Sequence, residues 1–237
     1  MSYREHRVNG GLERWVECAW TREGPDGHER IVPDGCMDLI WSDAGGLIAV
    51  GPNTTAFLSP LGNGASVVGV RLHPGAAPPL FGVQAPALRD ASVPARTLWG
   101  DTAKRLEEQL ATRETATERA RLLVAAFYAR SLQVAEPDPL VREAAQRLEA
   151  GRVTEVAQEL AVSERHLRRL VSAHVGYGPK LLARILRLRR ALARVREGAE
   201  LAEVAYIAGY ADQAHFGNDC RELAGVPPGR FLQDRAA

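Results

Sequence analysis

Residues 154–161 and 202–209 align at an offset of 48, pairing Glu155 with Glu203, Val156 with Val204 and Ala157 with Ala205. One extra turn residue shifts the offset to 49, and His166 then meets His215, Leu167 meets Phe216, Gly176 meets Gly225 and Pro179 meets Pro228. A unit recurring at this period must be a small supersecondary motif that stacks against its own copy. Each copy reads as a short helix, a tight turn, an N-cap and a second helix, which is the grammar of a helix-turn-helix. Ser163 and Asp212 stand at the caps, where a side-chain oxygen accepts from N–H groups that the helix leaves unpaired. Between the copies, residues 179–196 place Leu181, Leu182, Ile185, Leu188, Leu192 and Val195 on one helical face, with Arg187, Arg190, Arg194 and Arg196 largely off it. A rigid connector of this kind would hold both second helices on one side of the protein, spaced for successive major grooves about 34 Å apart.

Charge supports a polyanionic partner for this half. The 237 residues carry a formal net charge of +1, but residues 165–196 contain ten Lys and Arg and no Asp or Glu. So local a positive field suits nucleic acid, although an Arg-rich helix face can also be merely solvated. Arg165 and Arg169, one helical turn apart, can point together into a major groove, where a guanidinium pairs bidentately with a guanine edge. His166 lies beside them. Arg168, Lys180 and Arg187 are candidates for phosphate contact or for solvated surface. In the second copy Gln213 suits an adenine edge and His215 a phosphate or base.

The first half has a different texture. Short apolar or alternating runs at 13–21, 29–32, 36–41, 47–50 and 66–72 read as strands, separated by turn signals at 24–27, 33–35, 45–46, 51–53 and 62–64. An antiparallel sheet or small barrel is expected. After Pro74 come a short apolar turn at 76–81 and helices at 101–111 and 115–132, the second with Ala120, Leu123, Val124, Phe127 and Tyr128 on one side. Pro137 and Pro139 disfavour helix in the residues before them and mark a linker. The expected division is 1–134 for a sensing or dimerisation domain, 135–139 for the linker and 140–237 for the DNA-binding domain, an α+β chain in two parts.

The C-terminal half resembles the AraC/XylS family of bacterial transcription regulators. The resemblance covers residues 139–237 and rests on Gly176-Tyr177-Gly178-Pro179, on Arg187 to Ala191, on Val204 to Phe216, and on Gly225 to Phe231. It implies base contacts at Arg165 and Arg169. The family commonly has Arg where Asn218 stands and an aromatic where Cys220 stands, so Asn218-Asp219-Cys220 adds a negative charge and removes a guanidinium fork. The first copy is therefore expected to supply most of the affinity. Residues 32–40, 68–76 and 88–90 resemble the sensor region of a subgroup of these regulators. In that family such domains are cupin-like barrels that bind a small effector or mediate dimerisation.

Trp15, Trp20, Cys36, Trp41, Arg71 and His73 are the candidates for effector binding, with Phe57 and Phe81 as further aromatics that either line a pocket or fill a core. Cys36, Asp38 and His73 have ligand chemistry, but no HxH, HExxH or paired Cys spacing gathers them, so neither a metal nor a cofactor is expected. Three cysteines without CxxC spacing fit neither a disulfide framework nor a zinc site. No run approaches the ~20 apolar residues of a membrane span, and the charged N-terminus without an apolar run does not read as a signal peptide, so a cytoplasmic protein is expected. The expected partners are double-stranded DNA, a small effector, RNA polymerase if the protein activates, and a second copy if it dimerises. A DNA-repair protein or a cupin-type enzyme using the C-terminal module for targeting is the alternative reading. It lacks a nucleophilic or metal-binding setting around Cys36, and no enzyme is expected.

Overall fold

Strict alternation in two segments decides how the N-terminal half is built. In β4 (Met37–Ser42) and β7 (Val67–Leu72) every second residue is apolar and buried: Met37, Leu39 and Trp41 on one strand, Val68, Val70 and Leu72 on the other. Successive side chains of a strand point to opposite faces, so these six share one face of the sheet. The intervening residues, Asp38, Ile40 and Ser42 with Val67, Gly69 and Arg71, share the other.

The computed structural model of the chain describes residues 2–24, 27–61 and 66–231. Around β4 and β7 stand β1 (Ser2–His6), β2 (Val16–Glu23), β5 (Gly46–Val50) and β8 (Ser92–Pro94), giving an antiparallel sheet of order β1-β2-β7-β4-β5-β8. A separate ribbon pairs β3 (Gly27–Ile31) with β6 (Phe57–Leu61). One row of register partners crosses the large sheet through Glu5, Trp20, Gly69, Ile40 and Ile48, and a neighbouring row through Cys18, Arg71, Asp38 and Val50. The opposite face packs on α4 (Ala116–Ser131), which buries Ala116, Leu123 and Phe127 there. Helices α1 (Ala77–Phe81), α2 (Arg96–Trp99) and α3 (Asp101–Ala111) complete that core, with Trp99 edge-on to Phe127 at 5.5 Å and its indole N–H donating to the Leu80 carbonyl. Thr115 and Glu118 close a reciprocal capping box at the start of α4.

The expected strands and both long helices are present within a few residues of their expected limits. Three further strands carry no clear signal in the sequence: β1 is polar, β6 carries Pro60, and β8 has three residues and ends on Pro94. Tyr128, expected on the inner side of α4, is instead about half exposed. The turns expected around 25–26 and 62–64 lie outside the described residues.

A second core begins at Val141. Asp138 caps α5 (Pro139–Leu148) by accepting from the Leu140 N–H at 2.9 Å. There follow α6 (Val153–Glu159) and α7 (Glu164–Val175), the connector α8 (Pro179–Arg196), and α9 (Leu201–Ile207) with α10 (Gln213–Ala224). The two copies of the sequence repeat are α6–α7 and α9–α10. Helix α8 is buried on more than the one stripe its sequence suggests, since Ala183, Leu186 and Ala191 are covered along with Leu182, Ile185, Leu188, Leu192 and Val195. The reason is contact with both halves: Arg189 pairs with Glu17 of β2, and a Cβ added to Gly35 would sit 3.1 Å from a Leu182 methyl.

The halves also meet at the ends of the two second helices. Arg89 donates to the Gly176 carbonyl after α7, while the Ala56 N–H donates to the Leu223 carbonyl at 2.7 Å and Arg30 to that of Ala224 at 3.3 Å at the end of α10. Gly176 has φ +100, and a Cβ there would lie 2.7 Å from Pro52, so only glycine combines the left-handed turn with this approach.

Gly69 carries the sharpest steric demand on the sheet. The Trp20 indole lies across it, and a Cβ would come within 2.4 Å of the ring. Gly69→Ala is expected to destabilise the protein by ~1–3 kcal/mol through overpacking. A lowered urea midpoint together with a shifted tryptophan emission would show it, whereas an unchanged midpoint would contradict this packing.

Candidate nucleic-acid interface and ligand cavity

Capping sets the direction of each second helix. The Ser163 hydroxyl accepts from the His166 N–H at 3.1 Å, and the Asp212 carboxylate accepts from the His215 N–H at 2.7 Å. In α7, Leu167, Val171 and Val175 turn inward, leaving Arg165, Arg168 and Arg169 on the exposed side and His166 partly covered. Arg169 reaches the His166 ring at 3.4 Å. Lys180, at the start of α8, is also exposed.

The basic run of 165–196 divides into two populations. Arg184 binds Asp219 and Glu222, Arg189 binds Glu17, and Arg190 donates to the carbonyls of Glu149 and Ala208 at 2.9 Å each. These three hold the protein together. Arg187 stacks over the Tyr210 ring at 5.3 Å and is only partly exposed, which ties it to the turn of the second copy. The outward cations are therefore those of α7 and Lys180, with Arg194 exposed as well but set beside Glu197 at 3.7 Å.

In α10, Gln213, His215 and Asn218 are exposed. His215 is folded back on its own turn, edge-on to Tyr210 at 5.1 Å and accepting from the Ala211 N–H at Nδ1, which leaves Nε2 as its donor. The sequence expectation about Asp219 and Cys220 needs correction. Both are buried, Asp219 against Arg184 and Cys220 in the core, so Asp219 puts no charge on the outer face. Arg221, overlooked in the sequence, stands exposed one turn beyond Asn218 and donates to its amide oxygen. Following the i, i+3 spacing one turn further along α10 would have found it.

The second site is a cavity of about 500 Å³ bounded by the polar face of the sheet, the β3–β6 ribbon and α8. Alternation explains its lining: Trp20, Ile40, Ile48 and Arg71 face it, and Phe57 closes it from the ribbon. Of the six candidate effector residues, Trp20, Cys36 and Arg71 lie on the wall. Trp15 and Trp41 are core residues on the other side of the sheet, and His73 also lies off the wall, its N–H bonded to the Trp15 carbonyl. Trp41 lies under Arg119 at 4.3 Å, and Phe81 is likewise core.

Charge is concentrated at one end. Arg71 Nε lies 3.3 Å from Asp34 and 3.5 Å from Asp38, and Nη1 lies 3.8 Å from Glu5. Trp20 donates to Asp38 at 2.8 Å and Tyr3 donates to Glu5 at 2.7 Å. Cys36 donates through sulfur to Glu17, which also holds Arg189. Burial, and secondarily Asp34 and Glu17, push the Cys36 thiol well above its ordinary range, so it is no ready nucleophile. Burial likewise pushes Asp38 up to about 6, with Arg71 opposing and Asp34 adding to the rise. Among the described residues no group of three or more His, Cys, Asp or Glu is placed to hold a metal ion, and no helix is long and apolar enough to cross a membrane.

Comparison with known proteins gives two family matches. Residues 156–234 match a family described as a helix-turn-helix domain, and residues 4–94 match a domain of unknown function, DUF6597. Among solved structures, ToxT from Vibrio cholerae O395 bound to (E)-4-(8-methylnaphthalen-1-yl)but-3-enoic acid is similar with a TM-score of 0.52 at 10% identity, covering 99% of each chain. An apo, singly substituted ToxT from Vibrio cholerae strain SCE256 gives 0.51 at 11% identity, over 91% of this chain and 96% of that one. A probable AraC family transcriptional regulator from Rhodopseudomonas palustris CGA009 is 24% identical over 40% of this chain and 96% of that one, with a TM-score of 0.36. The curated proteins contain no match.

Asp38 gives the cavity a measurable signature. Its folded pKa of about 6 lies above its ordinary 3.8, so the folded state keeps a proton that the unfolded chain has released. Stability contributed by that proton is present at low pH and is lost as pH rises from 3.8 toward about 6. Because Glu17, whose pKa is lowered, pulls the other way, the expected signature is a difference: across this window the urea midpoint should fall more, or rise less, with pH in the native protein than in Asp38→Asn. Equal slopes would contradict the burial of this carboxyl.

Proposed function

We propose that the chain is a helix-turn-helix DNA-binding transcription regulator of the AraC kind, and that a small effector in the cavity controls how the two reading helices are presented to DNA. The helix-turn-helix match over residues 156–234 favours a regulator over the repair and cupin-enzyme readings. The observation that carries the proposal is that α8 contributes Arg189 and Leu192 to the cavity wall while joining the two helix-turn-helix units. Arg30, also on that wall, reaches the last carbonyl of α10. An occupant touching these side chains acts on both halves at once. That ToxT is described with a small organic acid bound supports reading this fold as one that takes small molecules.

On the DNA side, α7 supplies the main grip through Arg165 and Arg169 at base edges, with Arg168 and Lys180 on phosphates. Helix α10 adds Gln213, Asn218 and Arg221, with His215 Nε2 toward the backbone. The 18 residues of α8 span roughly 27 Å at about 1.5 Å per residue, close to the scale of one turn of duplex.

Fluorescence anisotropy with duplexes from the protein's own genomic neighbourhood tests this reading. Specific binding should weaken steeply with salt, as counterion release requires. Arg169→Ala should cost ~1–3 kcal/mol of specific affinity and Asn218→Ala clearly less. Failure to distinguish these duplexes from random DNA at any salt, with or without cell extract, would remove the regulator reading. The reverse order of the two variants would remove only the ranking.

Coupling between the halves has its own readout. Glu17→Gln loosens the Arg189 pairing and is expected to change specific DNA affinity by about threefold or more, on the scale of a weakened half-buried charge pair. Glu143→Gln, which touches the surface pair with Arg147 in α5, is the control and should leave affinity unchanged.

A further inference from the structure

We infer that the cavity takes a small organic cation, a protonated amine or similar head on an apolar, ring-bearing body, with its charge seated among Glu5, Asp34 and Asp38. This rests on the effector reading of the cavity and names the ligand's class.

The wall carries bases as well as acids, so the distribution decides. Arg22 is paired with Glu29 at 2.9 Å, Arg189 with Glu17, and Arg30 reaches the Ala224 carbonyl. Among the described residues, Arg71 is the base set against three carboxylates, all within 3.8 Å. That end holds more negative than positive charge; Glu5 is about half exposed, but Asp34, Asp38 and Arg71 are largely shielded from water, where such an imbalance is felt more strongly. An incoming carboxylate would add to the imbalance, whereas a cation relieves it. Nε of Arg71 is buried without a hydrogen-bond partner among the described residues, so the guanidinium is held by charge and the carboxylates keep lone pairs for another donor.

The walls beside this cluster fit the rest of such a ligand. Trp20 and Tyr3 present rings 6.0 Å apart, tilted by 38°, next to Asp38 and Glu5, and aromatic faces attract cations. Ile40, Ile48 and Val50 continue the wall with apolar surface. A volume of about 500 Å³ lies in the range typical of small-molecule sites. The elevated Asp38 pKa agrees, because a bound cation restores the ionised form that burial disfavours.

Three probes sharing one ring system test the inference on the full chain: 1-naphthylmethylammonium, 1-naphthylmethanol and 1-naphthylacetate, titrated by calorimetry at neutral pH. The ammonium should bind at least about tenfold more tightly than the acetate, and Asp38→Asn should cost it about tenfold while leaving the alcohol within about threefold. The alcohol's affinity reports that the variant is folded, and Asp34→Asn provides a second variant with the same expected sign. Tighter binding of the acetate, unchanged ammonium affinity in both variants, or no binding of any probe at millimolar concentration would each overturn the inference. DNA anisotropy run alongside separates the two readings. A protein that discriminates its promoter but prefers the acetate loses only the ligand class. One that prefers the ammonium while no probe alters promoter affinity keeps the ligand class and loses effector control.

Discussion

Helix α8 is the element on which everything else leans. It supplies apolar side chains to the C-terminal core, packs Leu182 against the N-terminal domain near Gly35, and places Arg189 and Leu192 at the cavity. A helix buried on several sides has little freedom to shift without disturbing each of its neighbours, because packed interiors do not deform continuously. The Arg189–Glu17 pair adds direction to that packing. A half-buried ion pair is weak evidence of net stability, but it fixes register between the surfaces it joins. Position, more than stability, is what this contact supplies.

The two faces of one sheet illustrate how little sequence separates a core from a binding site. Met37, Leu39 and Trp41 alternate with Asp38, Ile40 and Ser42, and the first set is sealed against helices while the second faces open space. Gly69 completes the second face by letting Trp20 lie flat across it. The charged residues of that face are tied to one another, to the ribbon or to α8, so the cavity is polar at one end and apolar along its walls.

Legibility in the sequence tracks how local the determining physics is. The repeat, both caps and the connector stripe are readable because capping and helical spacing act within a few residues. Strands β1, β6 and β8 are not, because their pairing is set by distant partners and their composition is polar or interrupted by proline. The sorting of the aromatics is available in part: parity along β4 puts Trp41 opposite Asp38, but the bulge between Val16 and Cys18 hides the face of Trp20. Asp219 misleads for a related reason. Its charge looks outward in the sequence, and only its tertiary partner, Arg184 on α8, explains why it is buried. Arg190 is equally opaque, since its partners are main-chain carbonyls beyond its own helix.

Those Arg190 contacts join the ends of α5 and α9, one from each flank of the connector, to a single guanidinium on α8. The helix that precedes the first helix-turn-helix unit and the first helix of the second unit are thereby tied to one shaft. Each residue added to or removed from that shaft would rotate the second unit by about 100° and move it by about 1.5 Å relative to the first. The length of α8 is thus a ruler: it sets the phase as well as the distance between the two stretches of duplex that the protein reads. A change in operator spacing would have to be answered by a change in this helix, and substitutions in α7 or α10 would not supply it.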